Sequence, residues 1–227
     1  MAVGRYETAL SICSRAYAEM GQGTLSAVFA STDPNVILLR TLLNSCGREL
    51  GTVRPWRHLV KTGSITAAAA VAPIVYGVNA LPTDWDYLLD ETVWNATSQE
   101  PLQGPVDEVE WQSHLNTGTT PSPSLWRVEG NSLLLYDDSA GDTITMQYVS
   151  RYWVKPSGQT SPTAEQSTAD ADTLYHHPLL LTRLLKLRWK QARRFDTAAE
   201  FADFDSTLEM VASHERPAPV ISLCSRY

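Results

Sequence analysis

The apolar residues of this chain recur with a helical period near both ends and alternate with polar residues in the middle, which predicts a mixed α and β structure. A first helix is indicated by an apolar stripe that stops before Gly21 and Gly23: Tyr6, Leu10, Cys13, Tyr17 and Met20. Asp33 followed by Pro34 is typical of the start of a second helix, because Asp caps free amides and Pro suits the first turn. The stripe of this helix consists of Val36, Leu39, Leu43, Cys46 and Leu50.

The second predicted helix is apolar over more than one face. Ile37, Leu38 and Leu42 widen its stripe beyond what a single neighbour would cover. A helix of this kind is expected to be buried on several sides, by helices of its own chain or by a neighbouring subunit.

The middle of the chain, residues 52–156, has recurring Pro and Gly and short alternating runs, which predict a β-rich insertion. A three-stranded meander is predicted over residues 125–154, with a Gly130-Asn131 turn and a second turn ending at Gly141. A short helix is expected within residues 105–115. The acidic residues of this region are expected to lie on the solvated face of a strand: Asp84, Asp86, Asp90 and Glu91.

The remaining part of the chain is predicted to be helical again, after a loop. Residues 157–171 are rich in Ser, Thr, Gly and Pro, and we expect a flexible linker. Asp172 is expected to cap a helix that runs to Phe195, and Asp196 or Thr197 a last helix that ends before Pro217.

The predicted fold is α+β. An antiparallel bundle of four main helices, from residues 1–51 and 172–216, carries the inserted β-rich subdomain, and residues 217–227 form an extended C-terminal tail.

Composition excludes several functions. A net charge of -7 disfavours a protein that grips nucleic acid, but it suits a conduit through which DNA passes without sticking. Cys13, Cys46 and Cys224 are odd in number and lack a Cys-x-x-Cys spacing, so neither a disulfide framework nor a zinc site is expected. No apolar segment is long enough for a membrane span, and the N-terminus lacks the pattern of a signal peptide.

The helix predicted from residue 172 has a basic face and one displaced cation. The basic face comprises Arg183, Lys186, Lys190, Arg193 and Arg194. It is expected to contact solvent, an acidic partner or passing DNA. Arg188 projects from the apolar side instead. It is therefore expected to pair with a carboxylate, either within the bundle or across a subunit boundary.

Catalytic and metal-binding patterns are not found in the sequence. His176 and His177 are adjacent, so on a helix they would point about 100° apart, and no third ligand follows at the required spacing. No phosphate-binding loop or nucleophile elbow accompanies the acidic residues. We expect no cofactor, no metal and no enzymatic activity, and a hydrolase would need a constellation that the sequence does not offer.

Several short motifs occur in a fixed order along the insertion. They are Trp56-Arg57-His58-Leu59-Val60, Tyr76 with Leu81-Pro82-Thr83-Asp84, Thr92-Val93-Trp94-Asn95, Pro101-Leu102-Gln103-Gly104-Pro105 and Glu110-Trp111. Together they resemble the phage head-to-tail adaptor family of the tail tubular protein A type, from short-tailed phages. The Gly130-Asn131-Ser132-Leu133 turn and the strand through Tyr148, Ser150 and Trp153 are also similar to that family.

The resemblance implies a non-enzymatic subunit of a homo-oligomeric ring, typically of twelve copies. Such a ring lies at the virion neck beneath the portal protein, receives the tail nozzle and provides a channel for the genomic DNA, without sequence-specific binding. It also implies assembly in the host bacterial cytoplasm.

The candidate contact residues fall into two groups. The subunit or subdomain interface is predicted to involve Trp56, Trp94, Trp111 and Arg188. Portal binding is predicted for residues of the apolar tail: Val220, Ile221, Leu223, Arg226 and Tyr227. The alternative is a tail-associated carbohydrate- or receptor-binding module, but the flanking helices count against it, because such modules are usually all-β.

Overall fold

The computed structural model describes residues 6–70, 76–118, 123–136 and 140–215. Over these ranges the protein is α+β, with five helices and eleven short strands. In chain order the elements are β1 (Glu7–Thr8), α1 (Ala9–Glu19), α2 (Pro34–Val53), β2 (Val60–Thr66), β3 (Tyr76–Ala80), β4 (Trp85–Leu88), β5 (Trp94–Asn95), β6 (Glu100–Pro101), α3 (Glu108–Thr117), β7 (Leu125–Glu129), β8 (Ser132–Tyr136), β9 (Thr143–Ser150), β10 (Val154–Lys155), β11 (Thr173–Leu174), α4 (Pro178–Ala192) and α5 (Ala198–Glu215).

The chain divides into two compact units. The helical unit contains the described residues up to His58 and from Tyr152 onwards, and the β unit is Leu59–Arg151.

The first two helices each begin directly after a residue whose side chain caps the helix, Thr8 for α1 and Asp33 for α2. The Thr8 hydroxyl accepts a hydrogen bond from the Ser11 amide at 3.3 Å, and the Asp33 carboxylate accepts one from the Asn35 amide at 2.8 Å. The predicted start of the second helix is thus confirmed. Its buried side also contains every residue of the predicted stripe: Val36, Leu39, Leu43, Cys46 and Leu50.

The prediction of an antiparallel four-helix bundle is wrong. In the helical unit α4 packs against α1, α2 and α5, whereas α1 and α2 make little contact with each other. The reason is that α4 is buried over much of its girth, with Leu180, Leu181 and Thr182 buried on different sides. A small antiparallel sheet in the order β1-β11-β10 completes this unit, and its two-residue strands are too short for a sequence pattern to reveal.

The segment that precedes β11 is attached to the helical unit by hydrogen bonds. Asp172 does not cap α4, as its position predicts, because β11 intervenes and α4 begins after His177. Its carboxylate instead accepts hydrogen bonds from the amides of Thr168 and Ala169, at 2.8 and 2.9 Å. Asn44 of α2 exchanges two hydrogen bonds with the backbone of Ser167.

The β unit contains two antiparallel sheets. The predicted hairpin is confirmed, with β7 and β8 paired from Leu125 opposite Tyr136 to Glu129 opposite Ser132. The predicted pairing of the third strand of the meander is wrong, because β9 does not pair with β8. It lies at the centre of the other sheet and pairs with β2, β4 and β5, while β3 takes the free side of β8.

A shared apolar core explains this arrangement. One face of β9 carries Ile144, Met146 and Tyr148, as its alternation predicts, and these side chains pack with Leu133 and Leu135 of the other sheet. Burying both apolar faces against each other stacks the sheets instead of joining them edge to edge. The opposite face of β8 packs with Trp111 of α3, the helix that the sequence places at about this position.

Candidate assembly surfaces

The cations of the predicted basic face largely bind carboxylates of their own chain. Arg183 lies 2.7 Å from Asp203, Lys186 lies 2.8 Å from Glu19, and Lys190 pairs with Glu200. The hydrogen bond from Lys190 holds the pKa of Glu200 below its ordinary value. These pairs attach α4 to α1 and α5, and they reduce the positive charge that this face offers to a partner.

The last two cations of that face stand at the end of α4. The Arg193 guanidinium lies 4.6 Å from the centroid of the Trp189 ring and donates a hydrogen bond to the Asn35 side chain. Arg194 is exposed and has a positive φ of 58°. Phe195, which follows them, is also exposed. This end of α4 therefore presents one aromatic ring and two cations to solvent.

Arg188 is paired within the helical unit. Its guanidinium binds both oxygens of Glu49 on α2, with the Nε to Oε2 distance at 2.9 Å. This hydrogen bonding raises the pKa of Arg188 above its ordinary value. The carboxylate that its position predicts is therefore supplied by the same chain, and the pair fixes α4 against α2.

The three candidate tryptophans differ in exposure. Trp56 is buried, and its indole nitrogen donates a hydrogen bond to the Leu50 carbonyl at 2.6 Å. Trp111 is buried within the β unit. Trp94 on β5 is 44% exposed. Of the three, only Trp94 offers a large apolar surface to a partner.

The predicted portal-binding residues cannot be placed. Val220, Ile221, Leu223, Arg226 and Tyr227 all lie outside the described residues. Large apolar side chains are nevertheless exposed on the described helices, at Ile37 and Val53 of α2 and at Phe201 and Met210 of α5.

A buried histidine pair, which the sequence pattern does not reveal, fixes the last turn of α5. The His176 Nε2 lies 2.9 Å from the Gly47 carbonyl, and its Nδ1 lies 3.3 Å from the His58 Nε2. The Glu215 carboxylate accepts a hydrogen bond from the Arg57 amide and lies 3.8 Å from the His58 ring. Burial, and secondarily His58, lowers the pKa of His176 to about 3, so this ring is neutral at physiological pH.

A buried carboxylate organises one end of the β unit. The expectation that Asp84 lies on a solvated acidic face is wrong, because its side chain receives hydrogen bonds from Lys61 at 2.5 Å, Tyr148 at 2.9 Å and Ser150 at 2.7 Å. Burial acts to raise the pKa of Asp84, but these hydrogen bonds outweigh it and hold the pKa below its ordinary value. The three donors come from β2 and β9, so residue spacing around Asp84 gives no sign of them.

Among the described residues, no group of three or more His, Cys, Asp or Glu side chains is arranged to hold a metal ion. No helix within the described ranges is both long and apolar enough to cross a bilayer. Burial raises the pKa of the Cys13 and Cys46 thiols to about 12, which makes them poor nucleophiles.

Comparison with known proteins identifies the family. The family model described as SU10 adaptor protein matches residues 8–222, almost the whole chain. No curated protein matches the sequence. The match supports the resemblance to phage adaptors, although it does not extend to the narrower tail tubular protein A type. By this match the chain belongs to the SU10 adaptor protein family, and it is a structural adaptor of a phage virion.

Proposed function

We propose that this adaptor is a ring-forming connector of the virion neck, of the tail tubular protein A type, which joins the portal to the tail and encloses a channel for DNA. The observation that carries the proposal is the family match over residues 8–222. The ordered motifs from Trp56 to Trp111 support the finer assignment.

The exposed apolar residues support assembly into a larger structure. Ile37, Phe195 and Phe201 in the helical unit and Trp94 in the β unit each expose more than a third of their surface. Burial of such side chains in an interface stabilises association. They occur on several elements, and a subunit that contacts two neighbours in a closed ring needs two different patches.

The charge distribution supports a channel that does not retain DNA. The net charge is -7, and three of the five cations on the basic face of α4 have carboxylates beside them. Affinity for DNA depends mainly on cations that are free to neutralise phosphates. A ring of such subunits would therefore let DNA pass without binding it tightly.

The tail is proposed to bind the portal. Pro217 and Pro219 favour an extended path after α5, so the apolar residues that follow cannot be covered by continuing the helix. Those residues are Val220, Ile221 and Leu223, followed by Arg226 and Tyr227. Several tails around a ring would bind together more tightly than one tail alone.

One observation favours the alternative, a carbohydrate- or receptor-binding module. The exposed Trp94 indole borders a groove of about 310 Å³ whose other lining residues include Thr62, Thr145 and Gln147. An exposed aromatic ring beside uncharged hydrogen-bonding groups is suited to stack on a sugar. The adaptor family match nevertheless favours the connector.

One experiment distinguishes these functions. The full chain is purified, mixed with portal rings of the same phage, and studied by sedimentation and negative-stain imaging. The connector predicts rings that cosediment with portals. Subunits that neither form rings nor bind portals, but whose tryptophan fluorescence responds to oligosaccharides in the wild type and not in Trp94→Ala, would establish the alternative instead.

A further inference from the structure

The outward side of α2 forms a groove that contains Arg40 and Arg48. The groove measures about 450 Å³ and lies between α2 and residues 166–168. The Arg40 guanidinium donates a hydrogen bond to the Phe29 carbonyl at 3.0 Å and lies 5.9 Å from the centre of the Phe29 ring, while Arg48 is exposed. Within the described ranges, neither arginine has a carboxylate at ion-pair distance, in contrast to Arg183, Lys186 and Lys190 of α4.

The outward side of α5 has the complementary chemistry. Phe201, Asp205 and Glu209 are four residues apart, so they form one ridge, and all three are exposed. Phe201 is 58% exposed. Over the part of the chain that the structure describes, no cation pairs with Asp205 or Glu209. Ala198 and Ala202 stand beside the ridge, and their small side chains allow a partner to approach closely.

These two surfaces lie on opposite sides of the helical unit. Arg188 of α4 pairs with α2, and Lys190 of α4 pairs with α5. Residues two apart on a helix point about 200° apart, so α2 and α5 flank α4 on opposite sides. The groove and the ridge each face outwards from these helices. Complementary patches on opposite sides of one subunit are the arrangement that closes copies head to tail into a ring.

We propose that the occupant of the α2 groove is the α5 ridge of a second copy of this chain. In this interface Phe201 enters the groove beside Phe29, and Asp205 and Glu209 face Arg40 and Arg48 of the neighbour. The proposal rests on the proposed ring function and assigns its subunit contact. A second copy fits because this chain itself carries the complementary surface, with two arginines at the groove and two carboxylates on the ridge. These local opposite charges offset the repulsion between chains of net charge -7.

A charge-swap experiment tests this contact. Arg48→Glu and Glu209→Arg are each introduced into the full chain, and assembly is followed by analytical ultracentrifugation and by imaging with portal rings. Each single change places like charges together, and we expect it to raise the concentration needed for ring formation by about tenfold or more. The combined variant restores an opposite pair and should assemble at nearly the wild-type concentration.

Two further variants separate contact from folding. Asp86→Arg makes the same change of net charge as Glu209→Arg at an exposed site in the β unit, and it should assemble normally. Phe201→Ser should prevent assembly while the melting temperature stays at the wild-type value, because Phe201 is largely exposed in the single chain. Wild-type assembly by Arg48→Glu, Glu209→Arg or Phe201→Ser would overturn the proposed contact and leave the ring function standing. A wild-type chain that forms no ring, with or without portals, would overturn both.

Discussion

At the residue scale, buried polar groups in this protein have roles that depend on which donors surround them. Asp84 is buried among Lys61, Tyr148 and Ser150, whereas Asp86, two residues later, is exposed. Both residues belong to one acidic cluster in the sequence. Only the first is surrounded by donors, and this difference leads to a direct test.

Asp84→Ala should destabilise the β unit by about 2 to 4 kcal/mol, because it leaves buried donors without an acceptor. Chemical denaturation at neutral pH measures the loss. Asp86→Ala is the matched control and should change the free energy of unfolding by less than about 0.5 kcal/mol. Equal effects of the two variants would contradict the assignment.

The pH dependence of the Asp84 network has a defined sign. The folded pKa of Asp84 lies below its unfolded value, so its stabilising contribution is complete at neutral pH. It is lost as the pH falls from about 4 towards the folded pKa. The stability difference between wild type and Asp84→Ala should therefore shrink over that acidic range.

His176 should lower the stability of the folded protein on acidification, and this effect should begin at a higher pH than the effect of Asp84. Its folded pKa is lowered to about 3, so the unfolded chain binds a proton between its ordinary pKa of 6.5 and that value while the folded protein does not. Wild-type stability should decrease as the pH falls through this window. In His176→Gln the slope should be smaller, as measured by urea unfolding at several pH values.

At the scale of elements, individual side chains determine how helices pack against their neighbours. A glycine permits close approach in one place, and a tryptophan fills the contact in another. Gly47 of α2 stands against the Trp153 indole, and a Cβ atom built on Gly47 would lie 2.1 Å from that ring. Trp111 holds α3 against the sheet formed by β3, β8 and β7. Each contact predicts that a substitution here changes the free energy of unfolding differently from the same substitution at an exposed position.

Gly47→Ala should destabilise the helical unit by about 1 to 3 kcal/mol, because the added methyl group overlaps the Trp153 ring. An exposed Gly to Ala change within a helix would instead stabilise by about 1 kcal/mol. Thermal unfolding of the single variants and of Gly47→Ala in a Trp153→Ala background checks the cause. In that background the substitution should be neutral or stabilising, and a persistent loss would exclude the ring overlap as its origin.

Trp111→Ala should cost about 3 to 5 kcal/mol, since the indole is buried between α3 and β8. Trp94→Ala should cost at most about 1 kcal/mol in the isolated chain, because that side chain is 44% exposed. Chemical denaturation of the two variants gives the comparison. A loss of similar size for both would show that Trp94 contributes to the core.

At the scale of the whole molecule, the proposed connector combines a folded adaptor with a tail that acts on another protein. Deleting residues 218–227 should leave the melting temperature unchanged, because the deletion starts beyond the end of α5 at Glu215. The truncated protein should no longer cosediment with portal rings, and V220S/I221S/L223S should have the same effect in the full-length chain. Ser222→Ala combined with Ser225→Ala is the matched control. If the truncated protein binds portals with wild-type affinity, the basic face of α4 becomes the next candidate.

Local sequence determined the elements whose signals are local. The Asp33-Pro34 pair and the stripe from Val36 to Leu50 specify α2, and Gly130-Asn131 between two apolar runs specifies the β7–β8 hairpin. These features depend on caps, turns and periodicity within a few residues. The sequence motifs also indicated a phage adaptor, because short motifs in a fixed order can be identified without knowledge of the fold.

Only the tertiary structure decided which elements meet. The partners of β9, the central place of α4, the donors around Asp84 and the role of Asp172 in the preceding loop all depend on residues distant in the chain. A strand pattern predicts which face is apolar, but it does not select the sheet that covers this face. Likewise, a carboxylate in the sequence carries no sign of the hydrogen-bond donors that folding brings to it, because those donors are selected by packing of the whole unit.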